Sequence, residues 1–139
     1  MEFKKFKDRY LVRLEKGEDI VQSLLSLAKS ENIRLASING LGAVSYAEIG
    51  LYKLDEKKYY SNTYEGDFEI ANLHGNLSTM DGEEYIHLHI IVADGDQRCF
   101  GGHLNKGIIS ATGEIFVDVL DGEVDRFKGE NGINLLDLK

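Results

Sequence analysis

The chain has 139 residues, 42% of them hydrophobic and 29% charged, with a formal net charge of −8. That length fits one domain with a proper core, and the composition excludes a disordered or fibrous chain. An acidic balance argues against the whole surface serving as a nucleic-acid footprint, and a lone cysteine, Cys99, excludes an internal disulfide.

The opening stretch, MEFKKFKDRY, is too polar for a signal peptide or a membrane span. Together with the unpaired cysteine this predicts a cytoplasmic protein that makes no membrane contact. Residues 1–16 carry six basic and three acidic side chains, whereas the remaining residues carry 10 basic and 21 acidic ones. Lysines on a solvated edge strand account for this bias better than a basic docking patch.

YLVRLEKG, from Tyr10 to Gly17, alternates as a strand and is broken by its glycine. The helix signal spans Glu18 to about Glu31, with Ile20, Val21, Leu24, Leu25, Leu27 and Ala28 forming one apolar stripe. Glu18 and Asp19 suit the positive end of its dipole, and Asn32 suits its stop. Ile33–Tyr52 reads as strand, glycine turn, strand, with the bend at Gly40 and Gly42. KKYYSNTYEG reads as a polar edge strand. FEIANLHGNLS, EYIHLHIIVA, RCFGGHL and IISATGEIFVDVL read as further strands, joined in part by turns at Asp81-Gly82 and Asp94-Gly95-Asp96. A short apolar patch, Ile133 to Leu138, lies in the tail. The expected fold is α+β, a mostly antiparallel, barrel-like sheet with one main helix packed on it.

Chemistry concentrates in one span. Three of the four histidines, His87, His89 and His103, lie between Tyr85 and Leu104, and the fourth is His74. In EYIHLHIIVA, Ile86, Leu88, Ile90 and Val92 share the core side of the strand. His87 and His89 then stand together on the other side, about 6.5–7 Å apart at Cα. A five-residue loop, Asp94 to Arg98, pairs Ala93 with Cys99 and sets His89 opposite His103 on the same face. A two-residue turn at Asp81-Gly82 pairs Met80 with Glu83, His74 with His89 and Asn76 with His87. In that register all four imidazoles share one face of three adjacent strands.

Three histidines with an open position suit Zn²⁺, or Ni²⁺, Cu²⁺ or Fe²⁺ according to geometry. Glu65, Glu69 and Glu114 are available to accept the second ring N–H of a ligand. A polar subunit contact, or hydrogen-bonded histidines with no ligand role, explains the same residues. The cupin pattern fails, because no carboxylate follows His89 until Asp94. No phosphate loop or GxSxG element is present, and Cys99 beside Phe100 reads as a small core residue.

Taken together, SINGLGAVSYAEIGLY, YEGDFEIANLHGNLS, DGEEYIHLHIIVADGDQRCFGGHL and ATGEIFV resemble the plants-and-prokaryotes-conserved (PPC) domain family. The resemblance runs from about Tyr10 to Phe127, within a single domain of residues 1–139. It implies one helix on a large antiparallel sheet, assembled as a homotrimer. It also implies a metal set at His87, His89 and His103, for which three-histidine chemistry makes zinc the expected ion. In plants the domain is fused to AT-hook segments that bind A·T-rich DNA. This chain has no proline and so no Arg-Gly-Arg-Pro. Three roles follow as expectations: a metal-binding protein, a DNA-binding or transcription-associated module, and a pure interaction scaffold. If the metal keeps an open position, a metal-dependent hydrolase is a further alternative.

Overall fold

The computed structural model describes residues 1–139. Its elements run β1 (Glu2–Phe6), β2 (Arg9–Glu15), α1 (Ile20–Glu31), β3 (Ala36–Lys53), β4 (Lys58–Met80), β5 (Glu83–Ala93), β6 (Cys99–Val119), β7 (Arg126–Lys128) and β8 (Asn134–Leu136). The first six strands form one sheet in the order β1-β2-β6-β3-β4-β5, and β5 also pairs with β6. Every pairing is antiparallel. The sheet therefore curls back on itself and is barrel-like, with β1 and β2 as an extension whose outermost strand, β1, carries Lys4 and Lys5.

Alternation builds the core. Tyr10, Val12 and Leu14 of β2 are buried while Arg9, Leu11, Arg13 and Glu15 are exposed. Leu88, Ile90 and Val92 of β5 meet Leu73 and Leu77 of β4 in the same apolar cluster. Helix α1 lies against β5 and β6 and contributes Ile20, Leu24, Leu27 and Ala28. Asp19 caps its start, accepting from the Gln22 amide at 3.1 Å, and Asn32 ends it in the left-handed conformation (φ 52°). Asp19 thus lies just outside the helix, not in its first turn.

Three expectations about strand breaks are corrected. Gly40 and Gly42 make no turn: β3 runs unbroken past them with a register shift. A Cβ at Gly42 would lie 2.2 Å from the Thr112 carbonyl oxygen, so the glycine serves a close approach of β3 to β6. KKYYSNTYEG and FEIANLHGNLS are one strand, β4, and RCFGGHL and IISATGEIFVDVL are one strand, β6. Cys99 is exposed, because Ala93, its partner, sits at the mouth of a hairpin rather than over the core.

The tail folds back as a β7–β8 ribbon. The Thr79 amide donates to the Val124 carbonyl at 3.0 Å, and Arg126 reaches Ser78 and Asn76 on β4 at 2.8 Å each. Arg34 adds ion pairs to Glu84 and Glu123 at 3.2 Å each.

Candidate metal centre

Two connections place the histidines. Asp81 and Gly82 both take positive φ (54° and 83°), the two-residue turn that matches strand twist. Met80 then pairs with Glu83, His74 with His89 and Asn76 with His87. In the next hairpin the Asp94 carboxylate accepts from the amides of Asp96 (2.9 Å) and Arg98 (3.0 Å), holding a five-residue loop. Ala93 therefore pairs with Cys99, and His89 with His103. Both registers agree with those derived from strand pleating and turn length.

His87, His89 and His103 each offer a ring nitrogen, and these three atoms lie within 4.8 Å of one another. The ring centroids are 5.2 Å apart for His87–His89, 5.0 Å for His87–His103 and 5.8 Å for His89–His103. Two nitrogens bound to one zinc can be no more than about 4.2 Å apart, so a bound ion requires a small inward turn of the rings. His74 stands to one side. Its ring is 6.0 Å from that of His89 and its Nδ1 meets the Asn72 amide at 3.1 Å, while it takes no place in the close trio.

The electrostatics favour neutral imidazoles. Burial, reinforced by the neighbouring histidines and Arg126, lowers the His87 pKa from 6.5 to about 4. Burial also lowers that of His103, with His89 adding to it, and that of His89, with His74 adding to it. Neutral imidazole is the form that ligates a metal, so an ion would displace few protons at pH 7. A metal-free sample carries a pH signature. For His87 the charged form is disfavoured on folding, so its stabilising contribution is complete above 6.5 and is lost as pH falls toward about 4. Partial solvent screening limits the loss to on the order of 1–2 kcal/mol. Urea melts between about pH 7 and pH 5 should show it, and His87→Asn should flatten that slope; an unchanged slope would contradict the reading.

A cavity of about 450 Å³ opens over the three rings. Its walls come from the β3–β4 hairpin (Leu51, Tyr52, Tyr59), from Tyr85 on β5, and from Ile133 and Asn134 in the tail. Tyr59 stands edge-on to His103 at 6.1 Å and its hydroxyl donates to Asn105 Oδ1 at 3.1 Å. Glu65, Glu69 and Glu114 do not line this cavity. Register explains their absence: Glu65 pairs with Tyr46, Glu69 with Ala93 at the far end of β5, and Glu114 with Leu41 and Arg13. The β3–β4 hairpin wall, the tail residues and Arg126 are the parts of the site that sequence reading missed. An apolar patch near the chain end was visible, but nothing in it fixed where the ribbon would dock.

Residues 1–121 match the Plants and Prokaryotes Conserved (PCC) domain. Among solved structures, a candidate DNA-binding protein of Bacteroides thetaiotaomicron superposes with a TM-score of 0.95 at 32% identity, covering 98% of this chain and 96% of that one. A metal-containing protein of Archaeoglobus fulgidus superposes with a TM-score of 0.87 at 33% identity, covering 97% and 96%. Among curated proteins, Bifunctional protein GlmU of Synechococcus sp. (strain JA-3-3Ab) is 34% identical over 108 residues, which are 76% of this chain and 16% of that protein. The chain thus spans about a sixth of the length of that relative, and no helix here is long and apolar enough to cross a membrane. On the family match and on this shared fold, the chain belongs to the Plants and Prokaryotes Conserved domain family.

Proposed function

We propose that this chain is a metal-binding member of its family, holding one divalent transition ion, zinc by preference, on His87, His89 and His103. The observation that carries the proposal is the approach of three ring nitrogens to within 4.8 Å on a shared strand face. The donor chemistry fits: all three imidazoles favour the neutral form, and none hydrogen-bonds to another side chain of the protein, whereas His74 does. The metal content named for the Archaeoglobus fulgidus protein supports the same reading. A zinc ion in such a set supplies Lewis acidity and a bound water of lowered pKa. The protein's part is to hold three neutral ligands on rigid strands and to restrict access through the Tyr52–Tyr59 and tail walls. No Asp or Glu in the cavity lining is placed to act as a general base, which weighs against the hydrolase alternative.

Metal analysis of protein purified without a histidine tag tests the proposal. About one ion per chain is expected, and none in His87→Ala; a metal-free wild type after growth with zinc would overturn it.

The same reading includes a homotrimer. Leu11 pairs with Phe116, and Leu41 lies on the same outer face of β2, β6 and β3; their exposures are 37%, 41% and 55%. Such a patch suits a subunit contact, and light scattering should return three times the chain mass.

DNA binding is a second reading, favoured by the candidate DNA-binding relative. Its basic strand is weakly equipped, since Arg9 pairs with Asp118 and Arg13 with Glu2 and Glu15. A gel shift that persists at about 150 mM salt would move this reading to first place.

A further inference from the structure

The charge around the cavity is unusual for this chain. The protein carries 24 Asp and Glu, yet none lines the cavity over the histidines. Behind the wall sits a guanidinium, that of Arg126, in a residue only 7% exposed. It donates to Ser78 Oγ (2.8 Å), Asn76 Oδ1 (2.8 Å) and the Asn134 carbonyl (2.9 Å), and it lies 4.7 Å from the centre of the Tyr85 ring. All these partners are neutral, and Arg126 makes no ion pair. Burial disfavours its charge, but an arginine stays protonated in a protein. Three neutral imidazoles add nothing to offset it. With a divalent ion in place, the cavity would be surrounded by about three uncompensated positive charges in a half-buried setting.

The hydroxyl groups sharpen the picture. Tyr59 donates to Asn105 and Tyr52 donates to the Asn131 carbonyl, at 3.1 and 3.0 Å. Tyr85 differs: its oxygen accepts from Asn134 Nδ2 at 3.2 Å, and its own hydrogen is committed to no group. Tyr85 lines the cavity beside His87. The rest of the wall is apolar or aromatic, with Leu51, Ile133 and the ring faces, and about 450 Å³ falls in the range of small-molecule sites.

We propose that the cavity takes a small organic carboxylate, with its charged head over the three histidines and accepting from the Tyr85 hydroxyl, and its apolar body against Leu51 and Ile133. Arg126 acts from behind as a fixed positive charge that holds the Tyr85 ring and the Asn134 segment in place. This inference rests on the metal reading above, because the ion supplies most of the attraction for the head group.

The test uses full-length protein loaded with Co²⁺, whose visible bands report its ligands. Benzoate is titrated against benzamide, its neutral analogue, and against formate, which has the head group alone. Benzoate is expected to shift the bands with millimolar affinity, formate to bind about tenfold more weakly, and benzamide to leave the bands unchanged. Tyr85→Phe should keep its cobalt and its thermal midpoint while losing about tenfold in benzoate affinity. Failure of cobalt to bind at all would overturn both this inference and the metal reading. Cobalt binding with no response to benzoate up to about 50 mM would overturn this inference alone. Equal responses to benzoate and formate would overturn the placement of the apolar body, and an unaltered Tyr85→Phe would remove the tyrosine from the site.

Discussion

Zinc is expected to raise the thermal midpoint of the wild-type protein by on the order of 10 °C at a hundredfold excess over its dissociation constant, and to leave His87→Ala unmoved. An ion bound only by the folded state contributes about 2.7 kcal/mol under those conditions, and a domain of this size gains roughly 3–4 °C per kcal/mol. His87 is the best position to remove, because it makes the two shortest ring approaches of the trio, 5.0 and 5.2 Å. Its loss leaves two imidazoles on adjacent strands, which hold a divalent ion far more weakly than three. Differential scanning calorimetry with and without a chelator gives the answer. A rise in His87→Ala as large as in wild type would mean that the ion sits elsewhere.

Gly75→Ala should be the most damaging single substitution near the site, costing about 3 kcal/mol or more. A Cβ at Gly75 would lie 1.9 Å from the His87 carbonyl oxygen and 2.9 Å from the Leu88 Cα. Both contacts are with backbone, so no side chain can rotate away. Relief requires β4 and β5 to separate where Gly75 pairs with Leu88. That movement drags His87 and His89 with it, so metal affinity should fall together with stability. Urea denaturation and zinc titration of the same sample measure both. A variant with wild-type stability would show that the two strands approach less closely than this structure has them.

Much of the centre was legible in the sequence because strand geometry is digital. Side chains alternate with a period of two, and a turn of known length fixes the partner of every residue that follows it. Asp81-Gly82 and the span Asp94–Arg98 were therefore enough to bring His74, His89 and His103 into line. The helix was legible for a similar reason, as its apolar stripe and its Asn32 stop are local signals. Glycine misled, because the same residue that allows a turn also allows two backbones to touch. At Gly42 the second use applies, and a turn was read where β3 continues. The carboxylates Glu65, Glu69 and Glu114 were offered as partners because they lie on strands, and a place on a strand does not fix distance across a curled sheet. Arg126 gave no signal at all. Its importance comes from a docking contact of the tail with Ser78 and Asn76, some fifty residues earlier.

The β7–β8 ribbon lies beyond residue 121, where the family match stops, yet it supplies Gly132, Ile133 and Asn134 to the cavity. The three imidazoles thus lie within the span that the family match covers, while part of the cavity wall comes from beyond it. A change in the tail would therefore reshape the cavity wall at Ile133 and Asn134 while leaving the imidazoles seated on β5 and β6.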